Sequence, residues 1–109
     1  MTRVSILKGA DGAVRGFEMK GHAMMAEYGK DIVCAALSML AINTVNSIES
    51  LTDDKIKVKS DSRKGLIRCV STAPLSESGK LLMSSFELGI RAVEEQYGKE
   101  FVVLEFREV

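Results

Sequence analysis

Two side chains in the stretch GHAMMAEYGKDIVCAALSML, residues 21–40, could act as a nucleophile and its base: Cys34 and His22. A cysteine attacks as the thiolate, and an ordinary thiol is mostly protonated at neutral pH, so something must favour the anion. Asp31 reads as a helix N-cap, which puts Cys34 at N3, in the first turn. There the helix dipole and the unpaired backbone N–H groups favour negative charge, and the same groups could hold a developing oxyanion. The Asp31 carboxylate opposes this, because a second negative charge disfavours the thiolate. A nearby imidazolium would offset it. His22 is the chain's single histidine and stands twelve positions before Cys34. A loop of that length can fold back to bring imidazole against sulfur. In such a pair the imidazole takes the thiol proton and then protonates a departing amine. Ser38 lies one helical turn after Cys34 on the same face. It could bond the site, a substrate backbone, or the carbonyl of Cys34 within the helix.

Each of these residues also has a plainer reading. Cys34 sits beside Ala35 and Ala36 and could be a small core residue. His22 could be a solvated loop side chain, and Asp31 only a cap. Spacing by itself leaves these alternatives open. Cys69, on the same strand face as Ile67, reads as core.

The elements that must position these groups follow from patterning. Val4 to Leu7 and Val14 to Met19 flank Asp11-Gly12 and read as a β-hairpin. Gly21 and Gly29 bracket His22 to Tyr28, and their backbone freedom suits a lid that orders over substrate. Met24, Met25, Tyr28 and Gly29 are the substrate-loop candidates, Met24 and Met25 also having a plainer reading as packing. From Asp31 a helical pattern runs through Val33, Leu37, Leu40, Ile48 and Leu51, apolar over much of its circumference and so expected to be central and buried. Ile56 and Val58 alternate with Lys55, Lys57 and Lys59, and a turn at Ser62-Arg63-Lys64-Gly65 leads to a partner strand, Leu66 to Ser71. A second helix is expected from about Lys80 to Tyr97, with Gly98 as a left-handed C-cap, and a last strand from Phe101 to Phe106. The order ββαββαβ predicts an α+β fold with a mainly antiparallel sheet and a central buried helix.

The 109 residues, with fifteen cations and fifteen anions, read as one domain, 1–109, of zero formal charge. Neutrality gives no overall pull toward nucleic acid or membrane, so neither partner is expected. No apolar run approaches the roughly 20 residues of a bilayer span. The first residues lack a signal-peptide pattern, and a cytoplasmic location is expected. Two cysteines in a reducing compartment are not expected to pair. Without close-spaced Cys or His pairs, no metal site or other cofactor is expected. The basic run Lys55, Lys57, Lys59, Arg63, Lys64 and Arg68 supports an alternative, a non-catalytic ribosome- or RNA-associated binding module. Lysines on a strand more often discourage edge pairing.

The stretch at 21–40 resembles the ribosomal-processing cysteine protease family. Gly21-His22-Ala23, Glu27, Gly29, Asp31 through Ala36 and Ser38 carry the resemblance, and Asn46 fits as well. The resemblance implies a homodimeric α+β protease of Gram-positive-type bacteria and their relatives. Its implied activity is removal of a short N-terminal extension from a large-subunit ribosomal protein. It implies a catalytic dyad of His22 and Cys34, supported by Gly21, Asp31 and Ser38, with a mobile loop over the site. After Gly-His-Ala many members carry a small residue and often then an aromatic, whereas this chain has Met24-Met25. Loop mobility and substrate fit are where that difference bears.

Overall fold

The structure, a computed structural model, describes residues 1–21 and 28–109, and side chains for 1–21 and 32–109. Strands β1 (Thr2–Lys8) and β2 (Val14–Lys20) precede helix α1 (Tyr28–Leu51). Strands β3 (Ile56–Asp61) and β4 (Leu66–Ser71), helix α2 (Glu77–Tyr97) and strand β5 (Val102–Glu108) follow. The expected ββαββαβ order is therefore the observed one. The sheet order is β3-β4-β2-β1-β5. Three neighbouring pairs are antiparallel, and β1 with β5 is parallel, so the sheet is mixed but mainly antiparallel.

Local chemistry explains the turns. Gly12 has φ +83 and donates its N–H to Gly9, while the Asp11 carboxylate accepts from the Ala13 N–H. Positive φ comes without steric cost at glycine. The β3–β4 turn is held by Asp61, whose side chain accepts from the N–H groups of Arg63 and Lys64. Helix α2 begins at Glu77, earlier than the pattern suggested, because the side chains of Ser76 and Asp54 hold its N-cap. The Ser76 hydroxyl accepts from Gly79 N–H and donates to Asp54, which also accepts from Ser76 N–H. Gly98 closes the helix with φ +104 and an extended ψ of 159, its N–H donating to Glu94, rather than the left-handed geometry expected.

Both helices pack on one face of the sheet. Val33, Leu37, Ala41, Val45 and Ile48 of α1 and Met83, Phe86 and Ile90 of α2 share one core with Val4, Ile6, Phe17, Met19 and Cys69. The rings of Phe17 and Phe86 stack at 4.2 Å between centroids. Gly16 lets β2 and β4 approach, since a Cβ there would stand 1.9 Å from the Cys69 carbonyl oxygen.

The face opposite the helices is open and charged. Glu18 on β2 accepts from Arg68 on β4 at 2.7 Å and from Arg107 on β5 at 2.9 Å. The second bridge spans β1, and Ser5 and Leu7 beneath it are buried. Partial burial of Glu18 works to raise its carboxyl, but the hydrogen bonds from Arg68 and Arg107, with their charges, hold it below the usual carboxylate range.

Two expectations about α1 are corrected. The helix is buried on one face only, and Ile32, Met39, Ile42 and Leu51 are exposed. By length and composition, Ile32–Leu51 is also apolar enough to cross a bilayer. Counting uninterrupted apolar residues missed this, because Asn43, Asn46 and Glu49 break the run without removing its apolar character. In the fold, its buried face joins the same core as the sheet.

Candidate active site

Cys34 is placed by α1, and the start of that helix differs from expectation. The helix opens at Tyr28, so Asp31 is its fourth residue and not its N-cap. Cys34 is the seventh residue, in the second turn, past the first-turn N–H groups that were expected to serve it. Tyr28 and Gly29 likewise belong to the helix rather than to a loop. A glycine costs a helix only about 1 kcal/mol relative to alanine. A helix of 24 residues anchored through Val33, Leu37 and Ala41 can carry that cost.

Half-buried Cys34 lines a cavity of about 520 Å³ at the end of the sheet where β2 finishes. Leu37 and Ser38 join it from α1. Met19, Leu66 and Ile67 supply apolar wall from β2 and β4, and Thr2, Ser60, Asp61 and Ser62 supply polar groups. Such a mixture, mostly apolar with a few placed polar groups, is the usual make-up of a ligand cleft. A thiol on its wall is positioned to meet an electrophilic carbon held inside.

Gly21 lines the same cavity. The backbone requires a glycine at this position. It has φ +88, and a Cβ there would stand 2.7 Å from the Met1 carbonyl oxygen. Its N–H donates to Lys64 and its carbonyl accepts from the Thr2 hydroxyl at 3.1 Å. The chain is thus clamped between β1 and the β3–β4 turn at the point where it leaves toward residue 22. His22, Met24 and Met25 lie outside the described residues. Cys34, Ser38 and Gly21 are therefore brought together. Asp31 is placed in α1 by its backbone.

Thiol chemistry separates the two cysteines. Cys69 is fully buried in β4, and burial, with a smaller contribution from Glu49, pushes its thiol up to about 11. It is a core residue, as its strand position suggested.

The family described as cysteine protease Prp matches residues 1–102. The chain belongs to that family. It is a cysteine protease. It is similar to the ribosomal processing cysteine protease Prp of Staphylococcus aureus, 30% identical over 99 residues, which are 91% of this chain and 93% of the relative. A crystal structure of an essential ribosomal processing protease Prp from S. aureus with a substrate peptide has TM-score 0.88 and 29% identity, covering 98% of this chain and 100% of that one. A second, with a covalently linked product peptide, has TM-score 0.85 and 30% identity at the same coverage.

Within this family fold, the sequence reading missed the far wall of the cavity. Thr2, Ser60, Asp61, Ser62, Leu66 and Ile67 carried no motif. Alternation could place Ser60, Ile67 and Met19 on one strand face. Only the sheet order makes them a row, because β4 pairs with both β3 and β2.

Proposed function

We propose that the chain is an endopeptidase that removes the N-terminal extension of a large-subunit ribosomal protein, with Cys34 as nucleophile and His22 as base. The observation that carries this reading is the shared cavity of Cys34, Ser38 and Gly21, Gly21 being the sequence neighbour of His22. The S. aureus relatives, solved with a substrate peptide and with a covalently linked product peptide, support a covalent route and a ribosomal protein as substrate.

In that route His22 takes the thiol proton and the Cys34 sulfur attacks the scissile carbonyl carbon. The tetrahedral intermediate collapses to a thioester as the C–N bond breaks, and His22 returns the proton to the leaving amine. Water, losing a proton to His22, then attacks the thioester, and the sulfur leaves as thiolate. Ser38, on the cavity wall, is the proposed donor or acceptor for substrate backbone. Met24 and Met25 are the proposed substrate-facing residues of the segment between Gly21 and α1. The protease is proposed to be cytoplasmic, where ribosomal proteins are made. It is also proposed to be a homodimer, supported by the exposed apolar stripe of Ile32, Met39 and Ile42 along α1.

The test is mass spectrometry of the extended ribosomal protein after incubation with wild type or Cys34→Ala. A single cut made by wild type alone is expected. No cut by folded, reduced wild type would overturn the substrate reading, and a cut by Cys34→Ala would overturn the nucleophile. Replacing His22 by Ala is expected to slow alkylation of Cys34 at neutral pH. An unchanged rate-against-pH profile would remove His22 from the dyad.

A further inference from the structure

The open face of the β3–β4 hairpin collects cations that nothing in the site uses. Lys57 and Lys59 alternate outward on the edge strand β3, and Lys55 continues the line just before it. Residues two apart on a strand stand about 7 Å from one another on the same face. Arg63 and Lys64 add charge at the hairpin turn. All five are exposed, and among the described residues none has an ion pair. Two of the carboxylates near these cations have other partners, while Asp53, two residues before Lys55, is exposed. Glu18 is held by two arginines, and Asp61 caps the turn's backbone N–H groups. Helix α2 carries four acids, Glu77, Glu87, Glu94 and Glu95, against two cations, Lys80 and Arg91. The hairpin is thus locally basic although the chain as a whole is neutral. Edge protection explains lysines on β3, but not the continuation of the strip through the turn, where Arg63 and Lys64 outnumber Asp61.

We infer that this strip binds the phosphate backbone of RNA, and so holds the protease beside a substrate that is already bound to RNA. Regular strand spacing and a flat open face suit successive phosphates, and no base reading is required. Val58 is the exposed large apolar residue of β3, and alternation turns it to the other face. The strip thus lacks the apolar side chains that a membrane-surface element carries. The inference rests on the ribosomal-substrate reading, yet it is tested apart from it.

The experiment is fluorescence anisotropy of a labelled 20-nucleotide single-stranded RNA titrated with the full chain, from about 50 to 200 mM KCl. Each phosphate contact contributes roughly −0.7 to the slope of log K against log salt. Wild type is expected to bind with a slope of roughly −2 to −3.5, for three to five contacts. The variant Lys55→Gln/Lys57→Gln/Lys59→Gln is expected to lose roughly two from that slope and at least tenfold in affinity. The corresponding triple Lys→Arg variant is expected to retain both. Cleavage of a short free peptide should be equal in all three, which separates this outcome from failure of the protease reading. No salt-dependent binding by wild type, or an unchanged slope in the Gln variant, would overturn the inference. Tighter binding to vesicles of anionic phospholipid than to RNA would overturn it in favour of a membrane surface.

Discussion

Cys34 and Cys69 show how position in the fold divides two identical side chains. The first lines a cavity, and the second is sealed between sheet and helices. Native protein treated with iodoacetamide is expected to be modified at Cys34 alone, and unfolded protein at both, read by intact mass. Because burial raises the Cys69 thiol from its ordinary 9.0 to about 11, the folded state holds that proton more tightly than the unfolded state. The resulting contribution to stability is complete below pH 9 and lost as pH rises toward 11. Melting temperatures of wild type and Cys69→Ala across that range should converge on the alkaline side. Glu18 has the opposite sign. Its carboxyl is held below the ordinary 4.5, so its stabilisation is present above that pH and lost as pH falls through the lowered value. Glu18→Gln is expected to cost about 1 kcal/mol at neutral pH, discounted for the half-exposed arginines. Its acid denaturation should be flatter than that of wild type.

At the scale of elements, the entry into α2 depends on two residues far apart in sequence. Ser76 caps the helix, and Asp54, from the link between α1 and β3, holds Ser76 by its N–H and hydroxyl. Ser76→Ala should lose about 1 kcal/mol. Asp54→Ala should lose a similar amount, and the double variant should lose less than the sum, as denaturant unfolding would show. The pairing of β2 with β4 depends on Gly16 in the same way. Gly16→Ala would push a methyl group into the Cys69 carbonyl, and a cost of about 1–3 kcal/mol or more is expected. A melting temperature equal to wild type would mean that the two strands can separate there without penalty. Asp31, by contrast, no longer carries a cap prediction, since α1 begins three residues before it.

For the whole molecule, the apolar surface left outside the core is the most consequential feature. Met39 is 65% exposed and Ile42 is 49% exposed, on the side of α1 that faces away from the sheet. Exposed apolar stripes of this kind mark association surfaces. If the proposed homodimer uses it, Met39→Glu with Ile42→Glu should give a monomer by sedimentation velocity while leaving the circular dichroism spectrum intact. A dimer that persists in this variant would place the interface elsewhere. The open sheet face is covered by another means, with Arg–Glu bridges laid over Ser5 and Leu7.

Much of this was legible in the chain itself. Period-two runs gave the strands, Asp11-Gly12 and Ser62 to Gly65 gave the hairpins, and the order of elements gave the α+β class. Those signals are local, because alternation and turn chemistry act between residues close in sequence. The segment at 21–40 alone pointed to Cys34 and the cysteine protease family. The start of α1 could not be read, because a capping carboxylate at Asp31 and a glycine at 29 both argued locally for a later helix, whereas the helix anchored in the core from Val33 onward extends back past both. The cavity was hidden for a different reason. Its walls come from β1, β2, the β3–β4 hairpin and α1, and their meeting depends on which strands hydrogen-bond. The sequence by itself determined the nucleophile's candidate and the elements around it. Only the tertiary structure decided what faces Cys34, because strand order is settled by packing the whole apolar surface at once.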